Sequence, residues 1–308
     1  MKNAINYYYD IYVNDIIKSE KDYYFYLNNE EYHFIVFDRP FDDIKAIYKL
    51  NMEMIKKNIL VHKIILNKKN EIITVLNEIP YILIKLCSYR NDSVFINDIS
   101  YIQRYTYNVE FDNELLRTDW LKMWSEKIDY YEYKISQFVK KYPILCDSLS
   151  YYIGLGENAI SYLKNNYNQN DMDIKLVVSH KRVDTSEGSF EFYNPVNFVI
   201  DSRVRDISEY IKNRFFYSDF NIHEIKSYLD SMNFNKMEYV MLFSRLLFPT
   251  YYFDVYDEII NNNLDEKKIV NIIDKNDQYE YLLILIYNYI TNEKNIFIEP
   301  IEWLIKRY

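Results

Sequence analysis

Two stretches decide the fold, Val177-Val-Ser-His-Lys-Arg182 and Phe198-Val-Ile-Asp201. Each contains β-branched or aromatic residues typical of a buried strand, and each ends on polar or charged side chains. We predict short strands at 174–178, 189–193 and 197–200. These strands interrupt a half of the chain whose pattern is otherwise helical.

The helical half begins near Asp112. An apolar stripe spaced by three or four residues predicts one long helix or two consecutive ones, ended by Pro143. Further helices are predicted at 149–163, where Gly154 and Gly156 would permit close helix contact, at 201–216, and on to the end of the chain. The stripe, whose two tryptophans are predicted to be core, comprises Leu116, Trp120, Trp124, Ile128, Tyr131, Ile135, Phe138 and Tyr142.

The part before residue 90 has the pattern of a small sheet. Aromatic and β-branched runs at 23–27 and 32–37 flank a polar turn, and a helix-period stretch at 41–58 follows. Strands are predicted again at 60–66, 71–76 and 80–86. The chain is therefore predicted to be α+β, with an antiparallel sheet and one helix in residues 1–90 and a helical domain in 91–308.

Composition excludes several classes of protein. The chain has 308 residues and a net charge of -9, which argues against nucleic acid or an anionic membrane as partner. Three glycines, none in a phosphate-binding motif, argue against P-loop and Rossmann enzymes. Two cysteines, Cys87 and Cys146, are too few for a disulfide framework, and no apolar run is long enough to span a membrane. A cytoplasmic protein is expected.

Four histidines are candidates for chemistry. None has metal-ligand spacing to another, and no nucleophile motif accompanies them. For His33, His62 and His223 we expect a hydrogen-bonded or exposed side chain without a catalytic role. His180 differs, because it follows a short strand and a second strand ends at Asp201.

The chain resembles the aminoglycoside phosphotransferase and choline kinase-like superfamily. The resemblance lies in a strand that ends in His and a second strand that ends in Asp, both after a small N-terminal sheet. Bacterial spore-coat kinase-like proteins are the most similar branch. The resemblance covers roughly residues 20–260 and implies a two-lobed, protein-kinase-like fold. It rests on 149–163 (LSYYIGLGENAISYL), 177–182, 198–207 (FVIDSRVRDI) and, more weakly, 246–253 (LLFPTYYF).

The resemblance also implies roles for single residues. The catalytic loop of that family reads HGDxxxxN, and a later Asp binds Mg²⁺. His180 matches the motif's His, Arg182 falls on the catalytic Asp, and Glu187 falls on the Asn. Lys181 replaces the glycine, and Asp201 would be the retained metal-binding Asp.

These replacements remove the chemistry of phosphoryl transfer. A guanidinium cannot accept a proton, so Arg182 cannot act as the base, although it could pair with Asp201 or Glu187. The strand at 32–37 carries no Lys to bind phosphates, and Glu53 on the following helix has no evident cation. We predict a vestigial nucleotide cleft comprising Glu53, His180, Arg182, Glu187 and Asp201.

Structural roles are open alternatives for several of these residues. Asp201 could cap a helix that starts near Ser202. Arg203, Arg205 and Asp206 fit a salt-bridge cluster at the start of that helix. Glu53 could be an ordinary solvated helix residue.

Three functional hypotheses follow. The preferred one is a pseudokinase that binds or scaffolds a protein partner, in the spore coat if the resemblance holds, with no cofactor. The second is a divergent phosphotransferase that uses MgATP, with Asp184 or Glu187 as base and Asp201 on the metal. The third is an α+β interaction protein without a nucleotide cleft.

Overall fold

The computed structural model describes residues 1–19, 22–87, 92–135, 137, 141–166, 174–185 and 188–307. The strands are β1 Ile17–Lys18, β2 Asp22–Leu27, β3 Glu30–Val36, β4 Lys63–Ile65, β5 Thr74–Leu76, β6 Ile79–Lys85, β7 Leu176–His180 and β8 Phe198–Ser202. The α-helices are α1 Lys2–Tyr8, α2 Asp43–Lys56, α3 Ile96–Thr106, α4 Trp120–Ile135, α5 Pro143–Asn166, α6 Gly188–Phe192, α7 Val204–Tyr217, α8 Ile222–Met232, α9 Lys236–Leu247, α10 Thr250–Asn262, α11 Val270–Ile273, α12 Asn276–Asn288 and α13 Glu302–Arg307.

The chain divides into two compact units. The first comprises Met1–Arg117 and Leu176–Asp201, and the second comprises Thr118–Lys175 and Ser202–Tyr308. The sequence predicted a boundary near residue 90 instead. Residues 92–117 belong with the first unit because α3 packs against β7, where the Thr106 hydroxyl accepts a hydrogen bond from Val178 N at 3.0 Å.

The sheet of the first unit is antiparallel. Within the described residues its strand order is β1-β2-β3-β6-β4, and β5 pairs with β6. The hairpin turns are built by Asn28 and Asn29 and by Asn77 and Glu78, all with positive φ. Such turns match the twist of the strands and usually need Gly or Asn. Both turns lie where the sequence predicted them.

Helix α1 and the segment after it pack against the sheet of the first unit. Residues of α1 and the segment after it, Ile5, Tyr9 and Val13, join one cluster with Phe25 and Phe34 of the sheet. The sequence pattern predicted neither α1, which has two polar asparagines in seven residues, nor α3.

Helix α2 lies close to where the sequence placed it and meets β4 through a buried amide. Asn51 Nδ2 donates to His62 O at 2.7 Å, and Asn51 Oδ1 accepts from Ile64 N at 3.0 Å. The amide therefore satisfies backbone groups at the start of β4, which a buried apolar residue could not do.

Strands β7 and β8 form a separate antiparallel pair. Lys181 N donates to Asn197 O at 2.8 Å, and Arg203 N donates to Lys175 O at 3.2 Å at the other end. The strand predicted at 189–193 is wrong, because these residues fall within or next to α6. Their aromatic content favours a strand, but their side chains pack as a helical turn against neighbouring elements.

The second unit consists of helices. Trp120 and Trp124 stack on each other with ring centroids 5.4 Å apart, and Trp124 stacks on Phe248 at 4.6 Å. Both tryptophans are buried, as the sequence predicted. Helix α5 begins at Pro143, while Phe138 of the predicted stripe lies outside the described residues. No described helix has the length and apolar character needed to cross a membrane.

Candidate functional site

His180 ends β7 and is packed inside the first unit. It is 1% exposed, and its Nε2 donates to the carbonyl oxygen of Phe192 at 2.7 Å. Its ring stacks on Phe192 with centroids 4.1 Å apart and meets Phe198 edge-on at 5.3 Å. These contacts hold the turn after β7 against α6 and β8.

The two residues after His180 are cations. Arg182 is exposed, and its Nη1 donates to the carbonyl oxygen of Lys181 at 2.9 Å. Lys181 Nζ lies 3.9 Å from Asp38 Oδ1, and burial lowers the pKa of Lys181. Glu187 lies outside the described residues, so its pairing with Arg182 stays a prediction.

Asp201 lies in β8 and is 0% exposed. The prediction that it caps the next helix is wrong, because α7 begins at Val204 with Arg203 as its cap residue. Pairing with β7 keeps the backbone extended through Ser202, so the helix starts later. A metal at Asp201 stays a prediction. Among the described residues, no group of three or more His, Cys, Asp or Glu side chains lies close enough together to hold a metal ion.

Arg203 is a structural residue of the second unit, but its ion-pair partner is Glu238 of α9, and the predicted cluster with Arg205 and Asp206 stays a prediction. Its guanidinium forms a bidentate pair with Glu238, with Nη2 2.6 Å from Oε2, and its Nη1 donates to Met232 O at 2.9 Å. Buried Arg–carboxylate pairs with both ends satisfied fix the packing of neighbouring helices.

Glu53 has cations, contrary to the sequence prediction. Its Oε1 lies 3.2 Å from Lys57 Nζ, and its Oε2 lies 3.8 Å from Lys56 Nζ, both on α2 itself. Such pairs at spacings of three and four are typical of a solvated helix side. Glu53 is therefore paired within its helix.

Strand β3 matches the strand on which a kinase carries its phosphate-binding Lys, and it contains His33. The Nδ1 of His33 bonds to Asp22, and the Nε2 lies 2.7 Å from Glu31 Oε1. Burial alone would lower the pKa of His33, but the hydrogen bonds of Asp22 and Glu31 outweigh it and raise the pKa. Both ring nitrogens of His33 face carboxylates, which favours its protonated form.

The sequence contains a signal for this cluster in the register of the β2–β3 hairpin. The two-residue turn at 28–29 fixes the register, which pairs Tyr24 with His33 and Tyr26 with Glu31. Asp22 belongs to the same face, because side chains two residues apart along a strand share a face. The Tyr24 ring stacks on the imidazole with centroids 5.4 Å apart.

Helix α6 lies against His33 on one side and His180 on the other. The ring of Phe190 lies 4.6 Å from that of His33 and 5.4 Å from that of His62. Tyr193 O accepts from His62 N at 3.0 Å, and the Tyr193 hydroxyl donates to Asp98 Oδ1 at 2.9 Å. The segment thus connects β3, the start of β4, α3 and β7.

Arg39 fixes the next part of the same segment. Its Nη1 donates to Val196 O at 2.9 Å and to Phe198 O at 2.6 Å. Its Nε and Nη2 donate to Asp43 Oδ2 at 3.1 and 2.6 Å. One buried guanidinium therefore joins the first turn of α2 to the start of β8.

These elements define a kinase-like phosphotransferase fold. They are an antiparallel sheet with one helix after β3, a strand pair that carries His180 and Asp201, and a helical remainder. Two solved structures share this fold. An aminoglycoside phosphotransferase from Alicyclobacillus acidocaldarius is 8% identical, with a TM-score of 0.68 over 94% of this chain and 96% of that chain. A spectinomycin phosphotransferase, solved with ADP and spectinomycin, is 11% identical, with a TM-score of 0.56 over 79% and 82%.

Residues 2–284 match the family model described as "Spore coat putative kinase YutH", and the chain belongs to that family. The endospore coat-associated protein YutH of Bacillus subtilis is 26% identical over 230 residues. That match spans 66% of this chain and 65% of the relative, just under two thirds of its length. The family resemblance and the fold class predicted from the sequence are confirmed.

Proposed function

We propose that this chain is a catalytically inactive member of the kinase-like fold that acts as a binding module of the spore coat. The observation that carries the proposal is Arg182, an exposed guanidinium two residues after His180. In the kinase catalytic loop that position holds the Asp that accepts the proton of the acceptor hydroxyl. A guanidinium has donors only, so it cannot perform this step.

The sheet supports the same conclusion. Strand β3, Glu30–Val36, contains neither Lys nor Arg. His33 of this strand is instead bonded to the carboxylates of Asp22 and Glu31.

The Bacillus subtilis relative is described as endospore coat-associated, which supports a role of this chain in the spore coat. In a coat, an inactive kinase-like protein would contribute contacts with other proteins. Exposed tyrosines suit that role, because their rings give large contact area at a small entropic cost. Several are exposed over half or more of their surface: Tyr7, Tyr12, Tyr26, Tyr105, Tyr133, Tyr217 and Tyr281.

Asp184 favours the one competing function, a divergent MgATP-dependent phosphotransferase. It is half-buried and lies two residues after Arg182. A carboxylate there could accept a proton if the loop supplied it to an acceptor hydroxyl. The two functions differ in whether ATP is consumed.

The test is ATP turnover by the purified protein with Mg²⁺, measured as phosphate release and as phosphoryl transfer to the protein itself. We expect the wild type and Asp184→Asn both to match a heat-denatured control. Turnover by the wild type that Asp184→Asn abolishes would refute the proposal and establish the phosphotransferase.

The coat role is tested in the organism that produces the protein. We expect Asp184→Asn to restore coat assembly in a deletion strain as fully as the wild-type chain does. Failure of this variant at normal protein levels would show that the carboxylate has a chemical role.

A further inference from the structure

We propose that α6 fills the space of the first unit in which a kinase fold binds nucleotide phosphates. The helix would thus act as an autoinhibitory contact. In that fold the phosphates lie between a Lys on β3 and the metal-binding residues after the catalytic strand. The inference rests on the proposed function. It adds that the nucleotide could not enter its site, besides the absence of a catalytic base.

The upper contact of α6 is with the sheet. Phe190 lies against His33, on the strand that should carry the Lys, and against His62 at the start of β4. Aromatic rings at these separations attract each other beyond the burial of their area. The ring of Phe190 therefore contacts two histidines of the first unit, His33 and His62.

The lower contact is with the strand pair that carries the catalytic-loop residues. Phe192, two residues after Phe190, stacks on His180 at 4.1 Å, and its carbonyl oxygen accepts the hydrogen bond of His180. The two phenylalanines of α6 thus contact both sides of the phosphate-binding space. A triphosphate and the aromatic pair cannot occupy it together.

The start of α6 is shaped for this placement. Gly188 has φ 72°, in the left-handed region that side chains with a Cβ rarely adopt. The backbone therefore takes a left-handed conformation at the first residue of α6. Arg39 secures the far end through the carbonyl oxygens of Val196 and Phe198.

The experiment compares Phe190→Ala with Phe297→Ala, which truncates an exposed phenylalanine in the second unit. Deuterium exchange at the imidazole C2 position, read by mass spectrometry, reports the access of solvent to each histidine. We expect exchange at His33 and His62 to rise severalfold in Phe190→Ala only. His223, exposed on α8, should not change in either variant.

Thermal unfolding with millimolar ADP and Mg²⁺ is the second measurement. We expect no shift for the wild type or Phe297→Ala and an upward shift for Phe190→Ala, because ligand binding to the folded state raises its stability. Unchanged exchange at His33, or no ADP shift in the opened variant, would overturn the inference. If Phe190→Ala does not fold, Gly188→Val provides the same test, since a β-branched residue disfavours the turn that places α6.

The two proposals fail in different ways. A rise in the unfolding temperature of the wild type with ADP, without ATP turnover, would overturn only the proposal that α6 fills the phosphate space. ATP turnover by the wild type would overturn the proposed function as well.

Discussion

At the scale of single residues, His33 is bonded to two carboxylates at once. The groups that face it are Asp22 and Tyr24 from β2, Glu31 from its own strand, and Phe190 from α6. Burial alone would raise the pKa of Asp22, yet hydrogen bonds from His33 and Ser19 lower it below 3.8. The pair therefore stabilises the fold when Asp22 is ionised and His33 is protonated.

We predict a pH-dependent loss of stability in His33→Gln. The pKa of His33 is raised in the folded state, so its contribution is complete below its ordinary value of 6.5 and disappears as pH rises through the folded pKa. Near pH 6 the variant should lose about 1.5–3 kcal/mol, the range for hydrogen bonds to charged groups. The difference should shrink toward pH 9.

Urea unfolding at several pH values measures this difference, with His223→Gln as the exposed control. A difference that stayed constant from pH 6 to pH 9 would show that His33 is neutral in the folded state.

At the scale of elements, the contact between α4 and α5 depends on one of two nearby glycines. A Cβ added at Gly156 would lie 2.5 Å from Ile128 Cδ1 and 3.5 Å from Phe248 Cε2. At Gly154 a Cβ would meet nothing within 4 Å. The close approach predicted from sequence is therefore confirmed at Gly156 only.

We predict that Gly156→Val and Gly154→Val have opposite consequences. Overpacking at residue 156 should cost about 1–3 kcal/mol, because Ile128 must move. At residue 154 the variant should be neutral or slightly more stable, since Gly is the poorer helix former. Denaturant midpoints measure both, and equal effects would contradict the packing argument.

The elements also show what sequence can predict. Local turn chemistry at Asn28-Asn29 and the apolar period of α2 determined those elements, so pattern alone located them. Helix α6 was missed because its aromatic residues favour a strand locally, whereas their contacts with His33 and His180 come from residues distant in sequence. The position of Arg182 two residues after His180 can be read from the sequence, whereas the contacts of Phe190 and Phe192 with His33 and His180 cannot.

At the scale of the whole molecule, the first unit is discontinuous in sequence. Residues Leu176–Asp201 complete it after the chain has passed through part of the second unit. The contacts that join the pieces include Arg39 with Val196 and Phe198, and Thr106 with Val178. Removing the later piece would leave these buried polar groups unsatisfied, which costs about 1–3 kcal/mol each.

We therefore predict that residues 1–117 alone do not fold cooperatively. Circular dichroism and hydrogen exchange of this fragment should show no sharp thermal transition, while the full chain shows one. A cooperative transition of the fragment would mean that the sheet and its helices are stable without β7, α6 and β8.

Left-handed backbone positions in this chain are occupied almost entirely by asparagine. Apart from Glu78 and Gly188, the described residues with positive φ are Asn28, Asn29, Asn58, Asn70, Asn77, Asn233, Asn263 and Asn295. Asparagine side chains cyclise onto the next amide and lose ammonia fastest when glycine follows, because a larger residue obstructs the attack. No Asn-Gly pair occurs in the sequence. The asparagine-containing turns of this protein should therefore deamidate more slowly than Asn-Gly turns would.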